Sequence, residues 1–392
     1  MMLAGLIFAT EEADDKPGAL AATLPFGGMT LIEYQARLLI ACGAGHLMIA
    51  VARVTPALLG AVNRIAKRGV AIDIVRSAEE ASAKAHPLAA VIVLADGVVT
   101  TEAAVRLAAG SAPDTLVVSE DGTSQIAVER VDAGHVWAGI AAIAAQRLAD
   151  TAALPREYDF QSTLLRVAVQ AGAHQVQLPT SAKRAGHGVE RNSSTLASRS
   201  NAVLAALATR RTSWADRFVF TPITRLALPI LVGRAVPPWS VVATGAAVAA
   251  GSIALILLEW TITGVVGALL AVAMLSTGSL LGWLRGDDRL AKRQEAAIAA
   301  TCALSALAIG TIASRADMTL TALALAIALI VVGAIGERAR ARPAFWWGSP
   351  AGYLLLLAPF AIAGQAAIGL AVVASYAAAS LAAAVEALRE KA

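Results

Sequence analysis

The sequence predicts two domains of different class: an α/β domain built on a parallel sheet, then an all-α bundle of six transmembrane helices. Three observations predict this. The stretch from Trp239 to Leu388 is apolar almost throughout, broken only by short charged loops. Residues 1–215 hold most of the charged groups, and their apolar runs are short. Those runs alternate with segments of helical spacing, the pattern of a parallel sheet with helices on both faces.

The totals agree. Across 392 residues, hydrophobic types make up 57% and charged types 15%, too apolar for an ordinary soluble protein. The net charge of +4 is modest, and no concentrated basic face makes nucleic acid an expected partner. Cys42 and Cys302 fall in different predicted domains, so no disulfide framework is expected. The opening MMLAGLIFATEEADD has no positive n-region and too short an apolar run for a signal peptide. The histidines at 46, 86, 135, 174 and 187 are scattered without ligand spacing, so zinc is not expected.

Leu3–Ala9 (LAGLIFA) has the composition of a buried parallel strand. Thr30–Cys42 has helical spacing, with Leu31, Tyr34 and Leu38 on one face and a Glu33–Arg37 pair, until Gly43 and Gly45 stop it. His46–Ala52 is a second strand, Thr55–Lys67 a helix and Val70–Arg76 a third strand. Ala89–Ala95 is a fourth, followed at once by Asp96-Gly97. Thr101–Ala109 is helical; Thr115–Ser119 and Gln125–Arg130 are further strands. Ligands of such sheets sit beyond the carboxyl ends of the strands, which is where Asp96 falls. An Asp-Gly pair is also an ordinary turn.

Ser181–Ser213 is polar and basic and reads as an exposed linker containing a helix at Thr195–Thr209. Trp214–Gly233 is amphipathic, the composition of a helix lying in the membrane interface. Six crossings are then expected: Val241–Trp260, Ile262–Leu284, Ala296–Ala313, Leu320–Gly336, Tyr353–Gly364 with upstream Phe345–Trp347, and Ala366–Val385. A crossing needs about 20 apolar residues, and Pro350 and Pro359 make the fifth the weakest. Basic loops at 285–293, 337–342 and 389–391 mark the cytoplasmic side. The protein is therefore expected as a multi-pass protein of the inner (cytoplasmic) membrane, with its soluble domain cytoplasmic. Gly245, Ala249, Gly251, Gly264 and Gly267 permit close helix packing, within the chain or in a homodimer through the membrane domain.

Ala4 onward, Pro25-Phe26-Gly27-Gly28, Leu31-Ile32-Glu33-Tyr34 and Ala41-Cys42-Gly43-Ala44 together resemble the opening of the sugar-phosphate nucleotidyltransferases. Val93-Leu94-Ala95-Asp96 resembles that family's strand ending in a metal-binding Asp. Val136–Ile140 is similar to its aromatic-Gly segment, and Tyr158-Asp159-Phe160 to its late acidic segment. The resemblance covers about the first 180 residues and implies a Rossmann-like, GT-A-like nucleotidyltransferase domain. This chain departs from the family at the phosphate loop. The family's G-x-G-T/S-R brings backbone N–H groups to phosphates; here Ala9–Asp15 supplies Glu11, Glu12, Asp14 and Asp15 instead. The family's Lys falls on Ala21, and Lys16 is out of register.

The second half, with Thr224-Arg225, Pro238-Trp239-Ser240-Val241 and six crossings, resembles the CDP-alcohol phosphatidyltransferases. A fusion of the two modules in this order is known from inositol-phosphate lipid synthesis. The family's four metal-holding carboxylates fall on Met274, Thr277, Glu295 and Ala299, so only Glu295 is acidic. Thr277-Gly278 stands at its D-G. Asp287 and Asp288 are out of register, either a solvated loop or a rebuilt metal or phosphate site.

The resemblances divide the chain into a nucleotidyltransferase-like domain at 1–180, a basic linker at 181–213 and a CDP-alcohol phosphatidyltransferase-like membrane domain at 214–392. They imply Asp96 and Lys16 as catalytic candidates. They imply Thr224, Arg225, Thr277, Gly278, Asp287 and Asp288 for substrate, and Asp96 and Glu295 for metal. Two functions follow. One is an enzyme of phospholipid headgroup synthesis using Mg²⁺ and a nucleotide-activated alcohol. The other is a catalytically inactive scaffold or regulator that binds a membrane lipid or a partner enzyme.

Overall fold

Six short runs rich in Val, Ile, Leu and Ala and one polar run, HQVQ, pair into one sheet. They are β1 (Leu3–Ala9), β2 (His46–Val51), β3 (Ala71–Val75), β4 (Ala90–Leu94), β5 (Thr115–Glu120), β6 (His135–Ala144) and β7 (His174–Gln177). The computed structural model describes residues 2–120, 129–155, 157–208, 213–233, 236–284, 288–339 and 346–389. It divides the chain into two compact units, Met1–Ala205 and Ala206–Ala392.

The strand order is β7-β5-β6-β4-β1-β2-β3. β1 runs parallel to β2 and β4, β2 to β3, and β5 to β7. β6 is antiparallel to both β4 and β5, so the sheet is mixed rather than wholly parallel. The reason is local: β6 follows β5 in sequence and lies beside it, and such a return needs no helical crossover. The strand expected at Gln125–Arg130 falls mostly outside the described residues, where Arg130 makes one isolated bridge to Val136.

The connecting helices of this unit are α1 (Leu31–Ala41), α2 (Pro56–Ala66), α3 (Ala78–Lys84), α4 (Glu102–Ala109), α5 (Gln146–Ala152), α6 (Phe160–Gln170), α7 (Thr180–Arg184) and α8 (Ser193–Ala208). α1 starts where the Thr30 N–H and hydroxyl both donate to Glu33 Oε2, at 2.9 and 2.7 Å. Arg64 of α2 grips the same carboxylate at 2.7 Å. The pairing joins α2 to α1, not Arg37 to Glu33 within α1. α1 lies so close to the sheet that a Cβ on Gly5 would sit 2.6 Å from Leu39 Cδ1 and 2.7 Å from Leu47 Cδ2.

Much of the stretch read as a linker is folded against this unit. Gly188–Val189 pairs with Val98–Val99, and Leu196 and Val203 of α8 are buried. Those two residues are seven apart, two turns of one helical face, in a segment otherwise too polar to advertise a buried side.

The second unit is helical: α9 (Thr221–Gly233), α10 (Pro238–Leu257), α11 (Thr261–Leu284), α12 (Asp288–Ala316), α13 (Thr321–Ala339), α14 (Pro350–Ile362) and α15 (Ala366–Arg389). Five of them, α10 to α13 and α15, are long and apolar enough to cross a membrane. The expected sixth is not among them. Pro350 fixes the first turn of α14 and the helix ends at Ile362, so its 13 residues rise about 20 Å against a hydrocarbon core of about 30 Å. Phe345 lies outside the described residues.

The unit is apolar outside and partly polar inside. Ser252, Ser276, Thr277, Gln294, Thr301 and Ser305 are buried, while Leu226, Ile230, Val266, Leu270, Ile327, Val331 and Val372 are exposed. α9 shows the inversion within one helix: Thr221 and Thr224 face in, Ile223 and Leu226 face out. So much exposed hydrocarbon is costly in water and neutral in lipid. This is a multi-pass membrane protein. α10 and α11 pack tightly: a Cβ on Gly264 would lie 2.8 Å from the Ser252 carbonyl oxygen, and one on Gly245 would lie 2.9 Å from Leu275 Cδ2. Gly251 meets nothing within 4 Å.

Candidate functional site

β4 is a run of five buried apolar residues, and Asp96 follows it at the sheet's carboxyl edge. The turn is built from several sides. Gln35 of α1 donates to the Ala95 and Val98 carbonyls at 3.3 and 2.9 Å, and Tyr34 donates to the Thr100 carbonyl at 2.7 Å. The Ala95 N–H donates to the Gly139 carbonyl at 2.9 Å. Gly97 takes a φ of +70°, and a Cβ there would sit 2.7 Å from the Glu190 carbonyl oxygen. Glycine is required at this position on both counts.

Asp96 is 3% exposed. Its Oδ2 accepts from the N–H groups of Thr10 and Glu11 at 2.6 and 2.8 Å and from the Thr10 hydroxyl at 3.3 Å. The Asp96 N–H donates to Gln161 Oε1 at 2.9 Å, which ties the turn to α6. Oδ1 is buried and has no hydrogen-bond partner among the described residues. Burial and the neighbouring Glu11 push the carboxyl up to about 6, against the pull of the Thr10 and Glu11 N–H groups and Arg191.

The acidic stretch after β1 folds as a hairpin, Glu12–Ala13 against Lys16–Leu20. Three of its four carboxylates, Glu11, Glu12 and Asp15, have side-chain or backbone partners. Arg191 meets Glu11 at 3.0 Å, and Arg53 meets Glu12 at 2.7 Å. Asp15 accepts from the Ser193 hydroxyl and, at 3.1 Å, from its N–H. The Ser193 hydroxyl is the main reason its carboxyl is held below the usual range. The Asp14 N–H donates to the Arg191 carbonyl at 2.9 Å. Lys16 is exposed on the hairpin, and no hydrogen bond or ion pair among the described residues joins it to Asp96.

Beside this corner lies a cavity of about 240 Å³ at the ends of β1, β2 and β3. Thr10, Arg76, Thr163, Asp159, Phe160 and Tyr158 are among its walls. Asp159 caps α6, its carboxylate accepting from the Ser162 N–H at 2.8 Å. On the far side of Asp96, His187 is 3% exposed and its Nδ1 lies 3.0 Å from the Thr100 hydroxyl. Nε2 has no partner. Burial, and then Arg199, pushes this imidazole down to about 4. The linker reading of this segment hid both His187 and Arg191.

In the membrane unit, Thr224 and Thr277 meet with their hydroxyls 3.4 Å apart, and Thr277 donates to the Ala273 carbonyl at 2.9 Å. A Cβ on Gly278 would collide with the amide nitrogen of Gln294, which is fully buried with neither amide atom partnered among the described residues. Ser279 donates to Glu295 at 3.5 Å. Residues from α9, α11 and α12 thus converge, though as hydroxyls and an amide with one carboxylate. Gln294 was missed; it stands among charged residues at the end of the basic loop, and nothing in that stretch signals a buried amide. Arg225 follows Thr224 on α9, Asp288 opens α12, and Asp287 lies outside the described residues. Among the described residues no three His, Cys, Asp or Glu side chains gather as a metal site. The donors present do not fit Mg²⁺ coordination, which favours several carboxylate oxygens or phosphates.

No family model matches the chain. No curated protein matches it. Solved structures do match, among them the inositol-1-phosphate CTP transferase from T. maritima. That match is 14% identical, covers 49% of this chain and 86% of that one, and has a TM-score of 0.36.

Proposed function

We propose that this protein is a non-transferring relative of phospholipid-headgroup synthesis. A nucleotidyltransferase-like unit is joined to a CDP-alcohol phosphatidyltransferase-like bundle in the inner (cytoplasmic) membrane, and the whole serves as a scaffold or regulator for a lipid or partner enzyme. One observation carries this reading. One oxygen of the Asp96 carboxylate, the group a transferase would offer to a metal, instead holds the Thr10 and Glu11 N–H groups. The carboxylates around it are tied to Arg53, Arg191 and Ser193. Four carboxylates in this loop would repel a phosphate rather than cradle it.

A second reading, an active transferase acting on a nucleotide-activated alcohol through Asp96 and Lys16, has its own support. Asp96 Oδ1 is unpartnered, and a cavity opens beside Thr10. That reading requires a Mg²⁺ donor set that the described residues do not assemble. The two are separated by assaying the full chain in lipid with CTP, CDP-diacylglycerol, candidate alcohols and Mg²⁺. We expect no turnover, with or without Asp96→Asn. Turnover abolished by that substitution selects the enzyme.

A further inference from the structure

The two ends of the helical unit carry different sets of charged residues. The end where α11 finishes and α12 begins carries Arg289, Lys292 and Arg293 together with Asp288 and Glu295. The opposite end holds the α10–α11, α12–α13 and α14–α15 turns, and its charged residues are Glu259, Arg315 and Asp317. That second end is also rich in exposed hydrocarbon: Leu258 and Trp260 in one turn, Met318 and Leu320 in another. Aromatic and apolar side chains beside a few charges mark a headgroup layer.

A cavity of about 380 Å³ opens there, between the last turns of α12 and the turn joining α14 to α15. Its walls are Ile309 and Ile312 of α12 and Ile368 of α15; Thr261, Asp317 and Gln365 supply polar groups. Asp317 and Gln365 are exposed, and neither side chain makes a hydrogen bond or ion pair with the described residues. The cavity therefore joins a hydrocarbon wall to a carboxylate and an amide that have no partner among the described residues.

We propose that this cavity is a site for a phospholipid with a primary ammonium headgroup. The ammonium pairs with Asp317, with Glu259 of the neighbouring turn adding negative potential. The Gln365 amide and Thr261 hydroxyl bond the phosphate-glycerol region, and one acyl chain lies against Ile309, Ile312 and Ile368. An ammonium is selected because it carries three donors for a carboxylate, which a choline headgroup lacks. An anionic headgroup is disfavoured by Asp317 and Glu259. The proposal requires only that the bundle lie in a bilayer. It is independent of whether the α/β unit binds or transfers nucleotides, so failure of the transferase assay leaves it standing.

The test uses the full chain in nanodiscs containing equal amounts of phosphatidylethanolamine and phosphatidylcholine, each in turn carrying a photoactivatable group on the same acyl chain. Crosslinked peptides are mapped by mass spectrometry. Residues 305–317 and 361–370 should be labelled by the ethanolamine lipid in excess, about fivefold for a partly exposed ion pair. Asp317→Asn should lower that labelling to the choline level, Asp317→Glu should retain the preference, and Ile312→Trp should reduce labelling by both lipids. If Asp317→Asn fails to fold, the Asp317→Glu and Ile312→Trp results decide. Equal labelling by the two lipids, labelling only elsewhere on the bundle, or a preference indifferent to Asp317 overturns the proposal.

Discussion

Asp96 and His187 are both buried, each leaves one polar atom unpartnered, and their proton affinities shift in opposite directions. For Asp96 the folded protein holds its proton up to about 6, against 3.8 ordinarily. Between those values the folded state binds more protons than the unfolded chain, so stability is greatest below about 4 and is lost as pH rises through 6. For His187 the folded value is about 4 against 6.5. Its contribution is present above 6.5 and is lost as pH falls through 4. Each shift is worth on the order of 3 kcal/mol, taking about 1.4 kcal/mol per unit. The two therefore oppose each other in the wild-type chain. Thermal unfolding of the α/β unit within the full protein, followed from pH 7 to 4, should expose them separately. Asp96→Asn should make the loss of stability on acidification steeper, and His187→Asn should reverse its slope. Parallel profiles for all three proteins would refute the opposition.

At the scale of elements, the interface of α10, α11 and α12 carries two predictions. Gly264→Leu places a side chain where even a Cβ would lie 2.8 Å from the Ser252 carbonyl. The helices must separate, so unfolding in detergent should occur at markedly lower temperature, a cost of about 1–3 kcal/mol or more. Gly251→Leu, facing open space, should be silent and serves as the control. Gln294→Leu removes a buried amide with neither atom partnered. Leaving such a group unpaired costs about 1–3 kcal/mol, so this variant should melt no lower than wild type and is expected to melt higher. A pronounced drop would mean that a ligand or partner satisfies Gln294. The elements themselves were unequally legible. β1 to β4 announce themselves through short apolar runs, and Asp96 was found because Asp-Gly follows one of them. β6's reversed direction was not legible, because direction is set by which neighbour a strand pairs with. The burial of α8 was not legible either, since Leu196 and Val203 are few among polar residues.

For the whole molecule, the basic loops predict that the end bearing Met318 faces away from the cytoplasm. In intact cells an impermeant thiol reagent should label Met318→Cys and fail to label Glu79→Cys until the cells are opened. Cys42 will not confuse the readout, because burial pushes its thiol up to about 11 and little reactive thiolate forms. Labelling of Glu79→Cys in intact cells would reverse the orientation. Gly245 and Gly264 are already used within the chain, so a homodimer through the membrane domain would have to use other surfaces, Gly251 among them.

Composition and periodicity alone determined that the chain has a charged α/β half and an apolar helical half, because burial in a sheet and immersion in lipid each impose a local, readable pattern. The Asp-Gly after a short apolar run located Asp96, and the resemblance to the CDP-alcohol phosphatidyltransferases located the Thr277-Gly278 pair. Only the tertiary structure decided what those residues do. Whether Asp96 faces a ligand or clamps Thr10 and Glu11, whether Arg191 neutralises Glu11, and whether Gln294 has a partner turn on contacts between residues 85 to 180 positions apart, or on contacts absent among the described residues. Nothing in the neighbouring sequence encodes such contacts, because they depend on which distant backbone and side-chain groups the fold brings together.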